Sequence, residues 1–165
     1  MGKSVLSSIV KAAKMATIGA IKSAGDVGES VVQATRDMVC TALQGVTDVT
    51  VAAEESVGKI IRGAIQAASD VGSDVVKTAR KAAYGAVKAA HETGADVSKT
   101  AVAAVRGSIE AAEDIGGDAN KVMKGAVTGA IEAAGDISEE TAHSVRDALT
   151  ASIDGARDVI KSTYK

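Results

Sequence analysis

The chain has 165 residues, a formal net charge of −2, and no Phe, Trp or Pro. A compact core normally leans on aromatic side chains that bury ~150–250 Å² each, whereas the hydrophobic 46% here is mostly Ala, Val and Ile. Average charge content excludes disorder by charge excess, the slightly acidic balance speaks against a nucleic-acid partner, and the single Cys40 excludes a disulfide framework within the chain.

Residues 1–7 read as a short N-terminal tail. Lys3, Lys11, Lys14 and Lys22 interrupt the first apolar stretch, which leaves no clean signal-peptide core. Leu6 stands where a myristoylation signal wants Ser or Thr. No uncharged run approaches the ~18 residues that a spanning helix needs. These features favour an intracellular chain.

A repeat occupies residues 8–161, and residues 162–165 form a C-terminal tail. Seven similar triplets follow at a spacing of 22: Gly19-Ala20-Ile21, Thr41-Ala42-Leu43, Gly63-Ala64-Ile65, Gly85-Ala86-Val87, Gly107-Ser108-Ile109, Gly129-Ala130-Ile131 and Ala151-Ser152-Ile153. Counted from Ser8, each unit divides into two elevens with consistent columns. The second, third, sixth and ninth columns are mostly aliphatic. The fourth is polar (Lys11, Gln33, Glu55, Lys99), and the eighth is mainly acidic (Asp26, Asp70, Asp114, Asp136).

Eleven residues over three turns is ~3.67 per turn, close to the helical period and far from that of a strand. The apolar columns then fill one arc of roughly 165°. The spacing predicts an all-α protein built as a single long helix, about 250 Å from end to end if unbroken. Turn-rich composition at His91-Glu92-Thr93-Gly94 and at Gly116-Gly117-Asp118-Ala119-Asn120 marks the alternative of stacked helical hairpins. A loop normally takes a variable number of residues and resets the helical phase. The elevens run through both places, so the unbroken helix is favoured.

Such a helix needs partners, because 17 Gly at about 1 kcal/mol each cost more than propensity can return. Nine of them fall in the first column (Gly19, Gly63, Gly85, Gly107, Gly129) and the tenth (Gly28, Gly72, Gly94, Gly116), where close backbone approach between helices is expected. The expected oligomer interface comprises Ile21, Gly28, Val39, Leu43, Ile61, Ile65, Gly72, Val87, Gly94, Val105, Ile109, Gly116, Ile131 and Ile153. Acids gather in the eighth and first columns (Asp74, Asp96, Asp118, Glu140), and bases in the seventh and fourth (Lys14, Arg36, Arg80, Lys124). Parallel neighbours would bring an acidic flank against a basic one.

An eleven-residue period implies a gentle right-handed supercoil. In this it resembles the right-handed hendecad coiled coils, stalk-type tetramers among them, over residues 8–161. That resemblance implies a parallel coiled-coil bundle or helical barrel, with a tetramer as the expected homo-oligomer. A weaker resemblance links the chain to amphipathic helices of stress-protection, synuclein-like and apolipoprotein type. The Lys-Thr-Lys-Glu-Gly-Val core of synucleins and the punctuating prolines of apolipoproteins are absent.

His91 and His143 lie in polar columns far apart in sequence, and Cys40 falls at the middle of the polar arc, where an exposed thiol is expected. No glycine-rich loop follows a strand, so no nucleotide fingerprint is present. No catalytic residue, metal or cofactor is expected. The expected function is a structural, non-catalytic, homo-oligomeric rod, spacer or assembly protein. An amphipathic helical protein bound to a lipid or granule surface is the alternative.

Overall fold

The computed structural model describes residues 2–24, 28–45 and 50–163. Helical periodicity holds throughout, but the helix does not run on. Among the described residues eight α-helices follow one another: α1 (Gly2–Ala24), α2 (Glu29–Gly45), α3 (Thr50–Asp70), α4 (Val75–Thr93), α5 (Val97–Asp114), α6 (Ala119–Ile137), α7 (Glu139–Ser152) and α8 (Ala156–Thr163). The first begins inside the segment read as a tail, and no strand occurs among the described residues.

The single long helix expected from the unbroken elevens is therefore replaced by stacked helices, and the reason lies in the turns. Gly72-Ser73-Asp74, Gly94-Ala95-Asp96 and Gly116-Gly117-Asp118 are the same punctuation at a spacing of 22. Each leading glycine is left-handed, with φ of 71°, 76° and 70°, a conformation that a Cβ penalises. The amides of Ser73, Ala95 and Gly117 then reach back to the carbonyls of Ala68, Ala90 and Ala112 at 2.8, 2.9 and 2.8 Å, closing a Schellman motif. Two residues after each glycine, Asp74, Asp96 and Asp118 cap the next helix by accepting from the amides of Lys77, Lys99 and Lys121. Each cap contributes ~1 kcal/mol. The turn has constant length, and helix plus turn equals one 22-residue unit. The phase survives a break that should have reset it.

Gly72, Gly94 and Gly116 accordingly make turns and are exposed, rather than forming a helix–helix interface. Gly28 is half-buried in the bend before α2. Between α6 and α7 the punctuation shrinks to Ser138, which ends one helix and accepts from the Thr141 amide to start the next.

The helices form two layers. The largest contacts join helices two apart, α4 with α6, α1 with α3, α2 with α4 and α3 with α5, with smaller ones between consecutive helices. Helices of one layer run parallel: Gly125 and Gly129 of α6 lie against Val76 and Arg80 of α4, so both helices advance together. Odd helices make one layer and even helices the other. The core between them is Ile61, Ile65, Val87, Val105, Val127, Val145 and Leu149, filled in by fully buried alanines such as Ala64, Ala86 and Ala126. With no Phe or Trp to fill gaps, close packing is reached by bringing backbones together. At the C-terminal end Gly155, with φ of 87°, breaks the last unit. This lets α8 fold onto α6 and α7.

Candidate functional site

The residues expected at an oligomer interface are mostly consumed inside one chain. Ile21, Val39, Ile61, Ile65, Val87, Val105, Ile131 and Ile153 are all 6% exposed or less in the monomer. Leu43 and Ile109 are half-buried against the same core. The apolar arc finds its partners in the next helices of its own chain, since the turns return it to them every 22 residues.

Four of the first-column glycines, Gly63, Gly85, Gly107 and Gly129, mediate close approach, as does Gly125 of the eighth column, whereas Gly19 meets nothing within 4 Å. A Cβ on Gly85 would stand 2.6 Å from the carbonyl oxygen of Val32, and one on Gly125 would stand 2.7 Å from that of Val76. On Gly63, Gly107 and Gly129 it would press still harder on the carbonyls of Val10, Gly58 and Arg80. Every one of these contacts joins helices of the same layer, and no other residue fits there without parting them.

Charges line the outside of the same seams. In the odd layer Lys14 pairs with Asp70 at 2.5 Å and Arg62 with Asp114 at 2.5 Å. In the even layer Arg36 pairs with Glu92 at 3.2 Å, and Arg80 holds Glu132 in a two-pronged contact at 2.6 and 2.8 Å. The Tyr84 hydroxyl donates to Asp136, and the Lys88 ammonium stands 5.6 Å from the Tyr84 ring centre. Basic flank thus meets acidic flank across parallel neighbours within one chain. These pairs are well solvated and contribute ~0–1 kcal/mol each. Their effect is on register. Lys14–Asp70 and Arg36–Glu92 join residues 56 apart (70 − 14 and 92 − 36), whereas Arg62–Asp114, Arg80–Glu132 and Tyr84–Asp136 join residues 52 apart. The four-residue difference is about one helical turn, so later helices sit one turn deeper on their neighbours.

Two open grooves follow these seams. One of about 800 Å³ runs over α3, α5 and α7, floored by Gly58, Val102, Ala103 and Gly107 and rimmed by Lys59, Lys99, Arg106 and Glu110. The other, about 560 Å³, runs over α2, α4 and α6 and holds Arg36, Arg80, Tyr84, Lys88, Glu132 and Asp136. The hydrogen bond to Asp136, reinforced by burial, pushes the Tyr84 phenol up to about 12. At neutral pH it is a donor and holds its proton. Cys40, expected on the surface, is half-buried against the core and donates to the Glu92 carboxylate at 3.9 Å. Burial first, then the Glu92 charge, raises its pKa, which lowers the thiolate fraction and its nucleophilicity. His91 lies exposed in the last turn of α4, and His143 lies 3.4 Å from Asp147 with both exposed. Among the described residues no group of three His, Cys, Asp or Glu side chains converges on a metal position, and no helix is long and apolar enough to cross a membrane.

The Gly-X-Asp punctuation was the readable signal for this architecture, because it pairs a left-handed C-cap with an N-cap at three successive turns, after α3, α4 and α5. Searches for similar proteins match no family model and no curated protein.

Proposed function

We propose that this protein is a structural, non-catalytic helical-repeat protein that associates with itself, its product being a rigid stack of defined length. The assembling unit is a folded two-layer stack in place of the rod of single helices that periodicity alone suggests. One observation carries this reading: glycine seams and acid–base pairs recur from unit to unit along both layers. Each helix therefore receives one neighbour and offers itself to the next in the same way. A stack of this kind gains stability by nearest-neighbour contacts and extends by addition at its ends.

The lipid-surface alternative loses its main support, because the apolar stripe that would enter an interface is inside the stack. Light scattering for molar mass, combined with solution X-ray scattering for shape, tests the proposal. An elongated, compact particle whose mass exceeds 16.4 kDa and rises with concentration supports it. A monomer at every concentration overturns it.

A further inference from the structure

Helix α7 stops where the repeat would carry it on. In α3, α4, α5 and α6 the helix runs three or four residues past an alanine at a fixed place in the unit: Ala67, Ala89, Ala111 and Ala133. One unit on from Ala133 that place holds Gly155, preceded by Asp154 where the two preceding units have Glu110 and Glu132. Aspartate and glycine are poorer helix formers than glutamate and alanine. Accordingly α7 ends at Ser152, Ile153 is extended at φ −118° and ψ 120°, and Gly155 takes a φ of 87°. The columns beyond the break are still those of a continuing helix. Ala156 stands in the place of Ala112 and Ala134, all three fully buried. Val159 stands in that of Ile115 and Ile137, all three half-buried.

The early stop leaves a berth. A notch of about 340 Å³ opens beyond Ser152, between the second half of α5 and the first half of α6, lined by Arg106, Ile109, Asn120 and Met123. In the seam between α3 and α5, Arg62 meets Asp114 at 2.5 Å and Glu110 at 3.8 Å. Two units later the same places hold Arg106, Asp158 and Asp154. Arg106 and Asp158 are 52 apart (158 − 106), the interval of Arg62–Asp114, Arg80–Glu132 and Tyr84–Asp136. In the structure Arg106 donates to the Ser152 carbonyl at 3.4 Å and is exposed, and Asp158 lies exposed on α8. The sequence thus carries a seam pair that the bend keeps apart.

We propose that residues 153–163 have two seats: the observed one, with α8 folded onto α6, and a second in which the bend straightens, α7 continues along α5 through the notch, and Arg106 pairs with Asp158. The move withdraws α8 from α6, so the segment is a latch over the outer face of the even layer. Two residues hold it in the observed seat. Gly155 favours the bend. Glu110 opposes the straight form: in the seam between α3 and α5 its place is taken by Gln66, which donates to Asp114 at 3.3 Å, whereas Glu110 would face Asp158, acid against acid. The latch works within one chain and stands apart from self-association.

The test is nuclear magnetic resonance of the full chain. It reads the α-carbon shift of Ile153 and hydrogen exchange at Arg157 and Asp158, first-turn amides of α8 that lack an intrahelical partner. In the parent, Ile153 reads extended and both amides exchange fast. Gly155→Ala should shift the balance toward the straight helix by about tenfold or more, because alanine is the better helix former and is penalised at a φ of 87°. Ile153 then turns helical and both amides become protected. Glu110→Gln, which leaves the bend untouched, should move both readouts the same way by a smaller step. Asp158→Ala should cancel part of either gain. An Ile153 that stays extended in both Gly155→Ala and Glu110→Gln overturns the second seat. Coil shifts and unprotected amides over 153–163 in Gly155→Ala overturn it as well, since the segment has then left α6 without finding a berth. A straight helix indifferent to both Glu110→Gln and Asp158→Ala projects into solvent instead of lying along α5, and also refutes the proposal.

Discussion

Gly129→Ala measures the close approach between α4 and α6 directly. In an isolated helix the change gains about 1 kcal/mol, because glycine is the poorer helix former. In the stack the new methyl would strike the carbonyl oxygen, the carbonyl carbon and the α-carbon of Arg80. These are backbone atoms inside α4, held by its own hydrogen bonds, so no side chain can swing aside. Relief requires the two helices to separate, which also loosens the Gly125–Val76 contact one turn away. Overpacking of this kind costs ~1–3 kcal/mol, occasionally more. The clash here is with backbone and lies at the upper end of that range, ~2–3 kcal/mol, so after the propensity gain is subtracted a net loss of about 1–2 kcal/mol remains. At this chain length 1 kcal/mol moves the melting point by ~2–4 °C, so a drop of roughly 2–8 °C is expected by circular dichroism. Gly135→Ala in the same helix is the control. Its Cβ would meet nothing within 4 Å, so only the propensity gain of up to ~1 kcal/mol remains and the melting point should rise. Opposite signs from one chemical change in one helix follow only from stacking. If both variants rise together, α6 has no backbone neighbour at Gly129, and the seam is refuted.

Gly116→Ala should cost about 1–2 kcal/mol in urea unfolding, because the turn holds φ at 70° and the penalty of a Cβ there is conformational. Asp96→Ala should lose ~1 kcal/mol by removing the acceptor for the Lys99 amide, while Asp96→Asn, still a good cap, should stay close to the parent. Tyr84 should titrate near 12 by phenolate absorbance, and Asp136→Asn should bring it back toward 10. Its folded value is raised, so this contribution to stability is complete below pH 10 and is lost as pH climbs from 10 through about 12. A Tyr84 signal already complete near 10 in the folded protein would show that the Asp136 bond does not form.

The helical class and the buried columns were legible because burial and period are local: Ile61, Ile65, Val87 and Val105 lie where an eleven-residue wheel puts them. The glycine columns were half legible. Gly63, Gly85, Gly107 and Gly129 pack as recurrence suggested, but Gly72, Gly94 and Gly116 recur at the same interval for a different cause, the positive φ of a turn. Spacing alone cannot separate the two, because both need a missing Cβ. The aspartates of the first column were read as an acidic flank, yet Asp74, Asp96 and Asp118 are helix caps. What defeated the continuous helix was the equality of turn and phase, a coincidence that a wheel diagram cannot display. Cys40 moved from the polar arc to a half-buried place because α4 packs beside α2 and brings Glu92 to it.

A pattern in which each helix rests on the one two places before it has a parity. Removing a single 22-residue unit would preserve every turn and every cap, yet it would send all later helices to the other layer. Arg62 would then face what Arg80 was shaped for, and the glycine of each seam would look onto the wrong backbone. Removing eleven residues is worse, since it leaves half a helix and loses a turn. Only a step of 44 returns odd helices to odd neighbours. Growth or shortening of such a chain by duplication should therefore be tolerated in pairs of units, and a lineage of related lengths should differ by even numbers of them.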